Sequence, residues 1–294
     1  MVNLYSLVKS SSHLRKMEID GLLFVEYKCM MEEAKFGIWS DNNYFAYVIS
    51  GRKMWKSIFH DYEVHQGDIL FIKKGANFTH QFSDDEFCAI FLFLPDDFIK
   101  SFLHKNPHFI KEAKNKSLNP EPIVRLTPDE LLESYFSSVA SYLSLSKKPN
   151  EQLLKLKFEE LLLHVCTNVH YQPLKDYFVS LTQNQAHQMS YVMEANFAYN
   201  LKIEDFARLC YLSLSSFKRL FKQLYKTTPA HWIKQRKLDL ALKLLITSDL
   251  AINQISLQCG FEDTSHFIRV FKGNYKITPH QYRLQQNSPV ELNR

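Results

Sequence analysis

A 13-residue segment of this chain recurs 50 positions on, with eight of its residues unchanged. Phe217–Pro229 reads FKRLFKQLYKTTP, and Phe267–Pro279 reads FIRVFKGNYKITP. Phe217, Arg219, Phe221, Lys222, Tyr225, Lys226, Thr228 and Pro229 return as Phe267, Arg269, Phe271, Lys272, Tyr275, Lys276, Thr278 and Pro279, eight identities in 13 positions. The match continues upstream with a slip of one residue: Ile203, Phe206, Ala207 and Cys210 correspond to Ile252, Ile255, Ser256 and Cys259. That upstream spacing is one short amphipathic helix. A turn follows each time, Tyr211-Leu212-Ser213 or Gly260-Phe261-Glu262-Asp263, with Ser213 and Asp263 placed as N-caps of a longer helix. Short helix, tight turn and longer helix make a helix-turn-helix, so the repeat predicts two of them.

The longer helices divide by face. Phe217, Leu220, Phe221 and Leu224 form one apolar stripe, and Phe267, Val270, Phe271 and Tyr275 the other; both are expected to be core. The outward set near each helix start is Ser215, Ser216, Lys218, Arg219 and Lys222, then Thr264, Ser265, His266, Ile268, Arg269 and Lys272. A DNA reader needs this arrangement: the start of a recognition helix meets base edges, while flanking Lys, Ser and Thr hold phosphates. An arginine can bind guanine O6 and N7 together, and Ile268 can meet a thymine methyl. Phosphate contacts are expected from Ser213, Ser216, Lys222, Thr264 and Lys272. A merely solvated face would not need Arg and Lys twice in one register. Between the repeats, Pro229 opens a helix expected over about 229–247, with Trp232, Ile233, Leu238, Ala241, Leu242 and Leu245 on its apolar side. At about 1.5 Å per residue it is roughly 28 Å long, close to the ~34 Å turn of B-DNA.

Charge agrees. From Ala186 to the end, 15 Lys and Arg face 8 Asp and Glu, a surplus of 7 in a chain whose formal total is +5. The remainder is thus mildly acidic at −2, and a basic C-terminal third is the footprint of a nucleic-acid binder.

Residues 20 to about 100 read as β. GLLFVEYKCM, YFAYVIS, KMWKSIFH, DILFIKK and FCAIFLFLP are short apolar runs, separated by turn signals at 40–43, 50–51, 66–68, 74–77 and 83–86. Strands at such spacing predict a sandwich or barrel. Thr127-Pro128-Asp129-Glu130 reads as a capping box with proline at the first helical position. Leu131, Leu132, Tyr135, Phe136, Val139, Tyr142 and Leu143 follow at helical spacing. After the turn at 147–150, Leu153, Leu154, Leu156, Phe158, Leu161, Leu162 and Val165 give a second helix a broad apolar face. The pair is expected to form a hairpin with apolar surface left over for a second subunit.

The matched residues resemble the AraC/XylS family of bacterial transcription regulators. They include Phe206-Ala207, Ser213, Phe217-x-Arg219-x-Phe221-Lys222, Arg236, Ala241, Leu244-Leu245, Ile252-x-x-Ile255, Cys259-Gly260-Phe261, Phe267-x-Arg269-x-Phe271-Lys272, Thr278-Pro279 and Tyr282-Arg283. The resemblance implies base reading by Ser215, Lys218 and Arg219 and by Ser265, His266 and Arg269. It makes Arg236 a structural arginine of the connector. Lys226 and Lys276 stand where the family often has glycine, which predicts a different helix ending; Ser256 stands where it often has alanine. Val64–Ile72 and Lys73-Lys74-Gly75 resemble the family's cupin-like barrel. In such regulators the barrel senses a signal, a small molecule or a protein, and the helices after it dimerise.

The expected class is α+β with two domains: an N-terminal cupin-like β-barrel with following helices, and a C-terminal all-α domain of two helix-turn-helix units joined by a long helix. The expected boundaries are 1–120 for the β sensor, 121–170 for the dimerising hairpin, 171–186 for a linker, 187–286 for the DNA-binding domain and 287–294 for a tail. The expected function is a sequence-specific DNA-binding transcription regulator, an activator, acting with RNA polymerase on promoter DNA as a homodimer. A cupin-type metal enzyme, or a protein-interaction regulator with non-specific DNA binding, is the alternative. His60, His65 and His80 lack the tight spacing of a shared metal site. No nucleophile elbow, zincin, P-loop or dinucleotide motif occurs, so no enzyme activity, metal or cofactor is expected. No apolar run of 18 residues and no signal-like start is present, which predicts a cytoplasmic protein without a membrane span. The five cysteines, Cys29, Cys88, Cys166, Cys210 and Cys259, sit among apolar neighbours and are expected as buried thiols.

Overall fold

Apolar runs that do not alternate, such as ILFI at 69–72 and CAIFLFL at 88–94, suit a sheet buried on both faces. The computed structural model of the chain, which describes residues 1–28, 35–82, 86–111, 121–145 and 149–287, places them in such a sheet. Two compact units are present, Met1–Ala195 and Asn196–Arg294.

The first unit begins with β1 (Val2–Asn3), α1 (Leu4–Ser10), β2 (Lys16–Ile19), β3 (Leu22–Lys28), β4 (Lys35–Ser40) and β5 (Asn43–Ser50). It continues with β6 (Lys53–Lys56), β7 (Asp61–Val64), β8 (Ile69–Ile72), β9 (Gly75–Gln81), β10 (Cys88–Leu94), α2 (Asp96–Lys105), α3 (His108–Lys111) and β11 (Ile123–Leu126). Helices α4 (Glu130–Leu143), α5 (Glu151–Thr167), α6 (Gln172–Ser180) and α7 (Gln185–Asn196) complete it. The strands form a six-stranded sheet in the order β11-β8-β5-β10-β3-β2 and a five-stranded sheet in the order β1-β4-β9-β6-β7. Among the described residues the sheets share no strand, so the unit is a two-sheet sandwich and not the closed barrel expected. The pleat explains this. Leu23, Val25, Tyr27, Phe91 and Phe93 of the larger sheet point at Phe36, Ile38 and Trp55 of the smaller one. Their alternate neighbours Phe24, Phe45, Phe71, Ile90 and Leu92 point the other way, into α2, α4, α5 and α6. Phe24 meets Phe158 at 4.3 Å between ring centres, and Phe71 meets Phe178 at 5.3 Å. A sheet covered by helices on one side has no outer wet face, and its strands are apolar throughout.

Several expectations change here. Residues 171–186 are not a linker. Their polar residues disguise a helical stripe, Leu174, Tyr177, Phe178 and Leu181, and all four are buried in the helix layer. The cap of α4 is Asp129, which accepts from the Leu132 amide at 2.9 Å, so Thr127 and Pro128 precede the helix. The same carboxylate takes His164 Nε2 at 3.0 Å and fastens the start of α4 to α5. Leu131 is exposed, as are Leu153 and Leu156 on α5. The expected turn at 74–77 lies earlier, because Gly75 already opens β9. Cys166, Cys210 and Cys259 are buried and Cys88 is half-buried; Cys29, part of the turns at 83–86 and 147–150, and the tail after 287 lie outside the described residues.

The second unit is α8 (Ile203–Leu209), α9 (Leu214–Tyr225), α10 (Pro229–Thr247), α11 (Ile252–Gln258), α12 (Thr264–Tyr275) and α13 (Pro279–Asn287). Both helix-turn-helix units and the connector are therefore present. The recognition helices α9 and α12 end at Lys226 and Lys276, with φ of 55° and 67°. These are the left-handed caps that glycine would make, so the expected different ending does not occur. The cap amides still close on Lys222 and Lys272 carbonyls. A side chain in this conformation costs about 1 kcal/mol or more.

Two outcomes follow for the unfolding of unit 2, read by the fluorescence of Trp232, its one tryptophan. Lys226→Gly is expected to stabilise it by about 0.5–1 kcal/mol, because the strain is removed at a surface site. Gly260 has φ of 76°, and a Cβ there would lie 1.9 Å from the Ala198 carbonyl oxygen. Gly260→Ala is expected to destabilise the unit by more than about 2 kcal/mol. Equal midpoints for these two variants would contradict both readings.

Candidate nucleic-acid interface

Each recognition helix starts from a cap that its sequence supplies. Ser213 Oγ accepts from the Ser216 amide at 3.2 Å. Asp263 accepts from the Ser265 and His266 amides at 3.2 and 2.7 Å. Those two amides hold the Asp263 carboxyl below its ordinary range, with smaller help from His266 and Arg269. The turns before them are built alike. Tyr211 and Gly260 are both left-handed, and the next residues, Leu212 and Phe261, donate to the Ala207 and Ser256 carbonyls at 2.9 and 3.0 Å. Ser213 follows Leu212 directly, whereas Glu262 stands between Phe261 and Asp263. The one-residue slip in the repeat is thereby located in the second turn. The inserted Glu262 accepts from Asn200 Nδ2 at 3.1 Å.

At 100° per residue, Ser215, Lys218, Arg219 and Lys222 share one arc of α9, and all four are exposed. Ser265, Arg269 and Lys272 occupy the same arc of α12, with His266 beside them, again exposed. Ser216 and Thr264 are half-buried at the helix starts, and the exposed Ser213 hydroxyl also meets the Ser215 and Ser216 hydroxyls at 3.1 and 3.0 Å. All eleven expected contact residues thus lie at the first two to three turns of α9 and α12 or their caps. Two neighbours behave differently. Ile268 is half-buried and packs on the core of the second helix-turn-helix, so it is not an outward contact. Leu224 is 41% exposed and lies outside the core stripe.

The opposite faces are locked by aromatic rings. Phe217 and Phe221 are fully buried, as are Phe267 and Phe271. Phe221 stacks on Tyr225 at 4.5 Å, and Trp232 of α10 meets both, at 6.1 and 5.4 Å. Phe271 meets Tyr275 at 4.7 Å, and Tyr282 of α13 meets both, at 5.9 and 6.4 Å. The repeat therefore extends past its proline, as Pro-x-x-Trp and Pro-x-x-Tyr, a signal visible in the sequence. Arg236 lies over Phe197 and Trp232, 5.3 and 5.7 Å from the ring centres, and pairs with Asp239 at 3.7 Å. That placement is structural. Arg283 donates from Nε to the Leu245 carbonyl at 3.3 Å, tying α13 to α10.

Lys237 is a neighbour of the candidate interface that spacing alone does not find. From α10 its Nζ reaches the Gly260 carbonyl at 2.6 Å and Asn200 Oδ1 at 3.3 Å. It clamps the second turn to the connector, and burial pushes its ammonium below the usual lysine range. Lys237, Ile233, Phe261 and His266 line a groove of about 440 Å³ beside the start of α12.

The histidines of the sandwich do not converge. His60 Nδ1 pairs with Glu121 at 2.8 Å, His65 Nε2 lies 3.5 Å from Glu63, and the His80 ring lies tilted against Phe82, 4.9 Å between centres. Among the described residues no three metal-ligating side chains group together, and no helix is long and apolar enough to cross a membrane.

Comparison with known proteins gives two family matches. Residues 43–177 match an ExsA N-terminal regulatory domain, and residues 206–285 match a helix-turn-helix domain. The virulence regulon transcriptional activator VirF of Yersinia enterocolitica is 25% identical over 237 residues, covering 81% of this chain and 87% of its own. The transcriptional regulator ExsA of Pseudomonas aeruginosa is 24% identical over 217 residues, covering 74% and 77%. Among solved structures, ToxT from Vibrio cholerae aligns with 92% of this chain and 100% of its own at 14% identity and a TM-score of 0.44.

The cap geometry sets a pH expectation. A carboxyl depressed in the folded state contributes stability that is present above its unfolded value and is lost as pH falls through the folded one. Asp263 is thus expected to titrate below 3.8 in the folded chain, and α12 to loosen as pH falls through that region. Side-chain carboxyl NMR shifts measure it directly. Titration at or above 3.8 would mean that the cap is not made.

Proposed function

The chain belongs to the AraC/XylS family of transcription regulators, with that family's DNA-binding domain behind an ExsA-type regulatory domain, and on that premise we propose that it activates transcription by reading two successive major grooves of promoter DNA. The observation that carries this reading is the duplicated exposed face: Ser215, Lys218 and Arg219 on α9, Ser265, His266 and Arg269 on α12, in one register and joined by a continuous 19-residue helix. In this reading those six residues read bases, while Ser213, Ser216, Lys222, Thr264 and Lys272 hold phosphates. A rigid α10 of roughly 28 Å fixes the separation of the two readers, which a flexible linker would leave open.

The sandwich receives the controlling signal in this proposal, a small molecule or a protein, and the chain works in the cytoplasm with RNA polymerase. No catalytic step is assigned to it. A homodimer is supported by α5, where Leu153, Leu156 and Leu163 are 45%, 55% and 43% exposed on one helical arc. Isolated exposed leucines are ordinary, but three on one arc next to a packed hairpin suit a helix–helix contact. Leu156→Asp is expected to shift the chain to monomer in sedimentation equilibrium while its circular dichroism is unchanged. An unchanged mass would remove α5 from the dimer.

DNA recognition is tested by selecting bound sites from random duplexes with the full chain. The expected result is a two-part motif about one helical turn apart. Arg219→Ala and Arg269→Ala are each expected to relax one part, at about 1–3 kcal/mol. Lys272→Ala is expected to weaken all sequences alike and to lower the salt slope by about 1. Unselective binding by the unmutated chain, or identical effects of Arg269→Ala and Lys272→Ala, would overturn this division of roles.

A further inference from the structure

The two recognition helices end in the same costly way. Lys226 and Lys276 close α9 and α12 in the left-handed region, at φ of 55° and 67°, and both residues are exposed. Crowding at Cβ makes that conformation unfavourable for a lysine and free for a glycine. The backbone needs the bend at each position; the fold does not need a lysine to make it. Backbone strain kept at the surface points to work done by the side chain.

Within the chain these side chains have little to do. Among the described residues the Lys226 ammonium has no hydrogen-bond or ion-pair partner, and the Lys276 Nζ donates to the Gly273 carbonyl of its own helix at 3.2 Å. An ammonium carries three N–H groups, so two stay free at Lys276 and three at Lys226. A cation at a helix C-terminus also meets the partial negative charge of the last carbonyls. That effect acts on the stability of the helix and leaves DNA affinity untouched, so experiment separates the two.

Position supplies the rest. At 100° per residue, Lys226 returns to within about 20° of Ser215 and so continues the exposed arc of Arg219 and Lys222. The series Arg219, Lys222 and Lys226 recurs without change as Arg269, Lys272 and Lys276, whereas Lys218 of the same face becomes Ile268. From Ser215 to Lys226, or Ser265 to Lys276, the row runs eleven residues, roughly 16 Å. The major groove is ~12 Å wide and ~8.5 Å deep. With the first turn at base edges, the last turn therefore stands level with the sugar–phosphate walls.

We propose that Lys226 and Lys276 are a second pair of DNA phosphate contacts, one at the far end of each recognition helix, and that the left-handed strain is kept for them. The assignment rests on the two-groove reading above and adds to it the end at which each helix leaves its groove. A phosphate contact carries no sequence information, so these lysines set affinity and its salt dependence and leave the motif alone.

The test compares binding and unfolding of the full chain and its variants. Binding is titrated on the duplex that the unmutated chain selects, across a series of salt concentrations. Lys226→Gly and Lys276→Gly are each expected to lower the salt slope by about 0.9 and to weaken binding about eightfold at 0.1 M salt, with the selected motif unchanged. The same variants are expected to raise the unfolding midpoint, so stability and affinity move in opposite directions; a purely structural lysine would move them together. Lys226→Asn, neutral and tolerant of the left-handed region, is expected to lose the same slope, and Lys226→Arg to keep it. Slopes unchanged in both glycine variants, a loss that Lys226→Asn does not share or that Lys226→Arg does, or a change of motif would overturn the assignment while the two-groove reading stands. If the unmutated chain selects no motif, that reading fails and the assignment fails with it.

Discussion

The second unit depends on one helix that belongs to two cores. The first turn of α10 gives Trp232 to the aromatic stack of Phe221 and Tyr225. Two turns later, Leu238, Ala241 and Leu245 are fully buried against Ile255, Phe267 and Phe271 of the other helix-turn-helix. The first helices of the two helix-turn-helix units, α8 and α11, are seven residues each, and helices that short draw their stability from packing. Sharing α10 supplies packing surface to both units. It also makes the spacing of the recognition helices a property of a hydrogen-bonded rod. Lys237 and Arg283 tighten the same arrangement through carbonyls, one at the Gly260 turn and one at the C-terminal part of α10.

The repeat made most of this legible in advance. Identical residues 50 apart fixed the helices, their caps and the outward set, because those features are local: a cap bonds two or three residues on, and a helical face has a fixed period. The left-handed lysines were not legible. Their conformation is set by the turn that must bring Pro229 and Pro279 into place, and packing after the turn outweighs the preference of a single residue. Ile268 was misread for a related reason. It lies on the edge of the exposed arc, where periodicity does not say whether a neighbour covers it, and in the second unit the core does.

In the first unit the sequence showed the strands with strong apolar runs and missed the short ones, such as Asp61–Val64, whose pairing is long-range. It also hid the helix layer. A sheet with two buried faces and a sheet of a closed barrel can share the same apolar runs, and the difference lies in α6, whose stripe is broken by Lys175 and Asp176. The burial of Tyr177 and Phe178 against Phe71 settles it. The consequence reaches beyond fold class. Gln172–Ser180 is packed helix, so most of the expected linker belongs to the first unit.

The two helix-turn-helix units are copies in fold and unequal in surface, and the inequalities concentrate where DNA reading is proposed. Lys218 of α9 faces outward, whereas its counterpart Ile268 is turned to the core. Ser216 corresponds to His266, an exposed ring beside the start of α12. The second turn carries the extra Glu262, held by Asn200, while the first passes directly from Leu212 to its cap. Both units keep Arg and Lys at matching positions, Arg219 with Arg269 and Lys222 with Lys272, which would hold the same guanine and phosphate geometry in either groove. An exact duplicate would read a direct repeat. In the proposed reading, two units that share anchors and differ beside them would read two half-sites of different sequence.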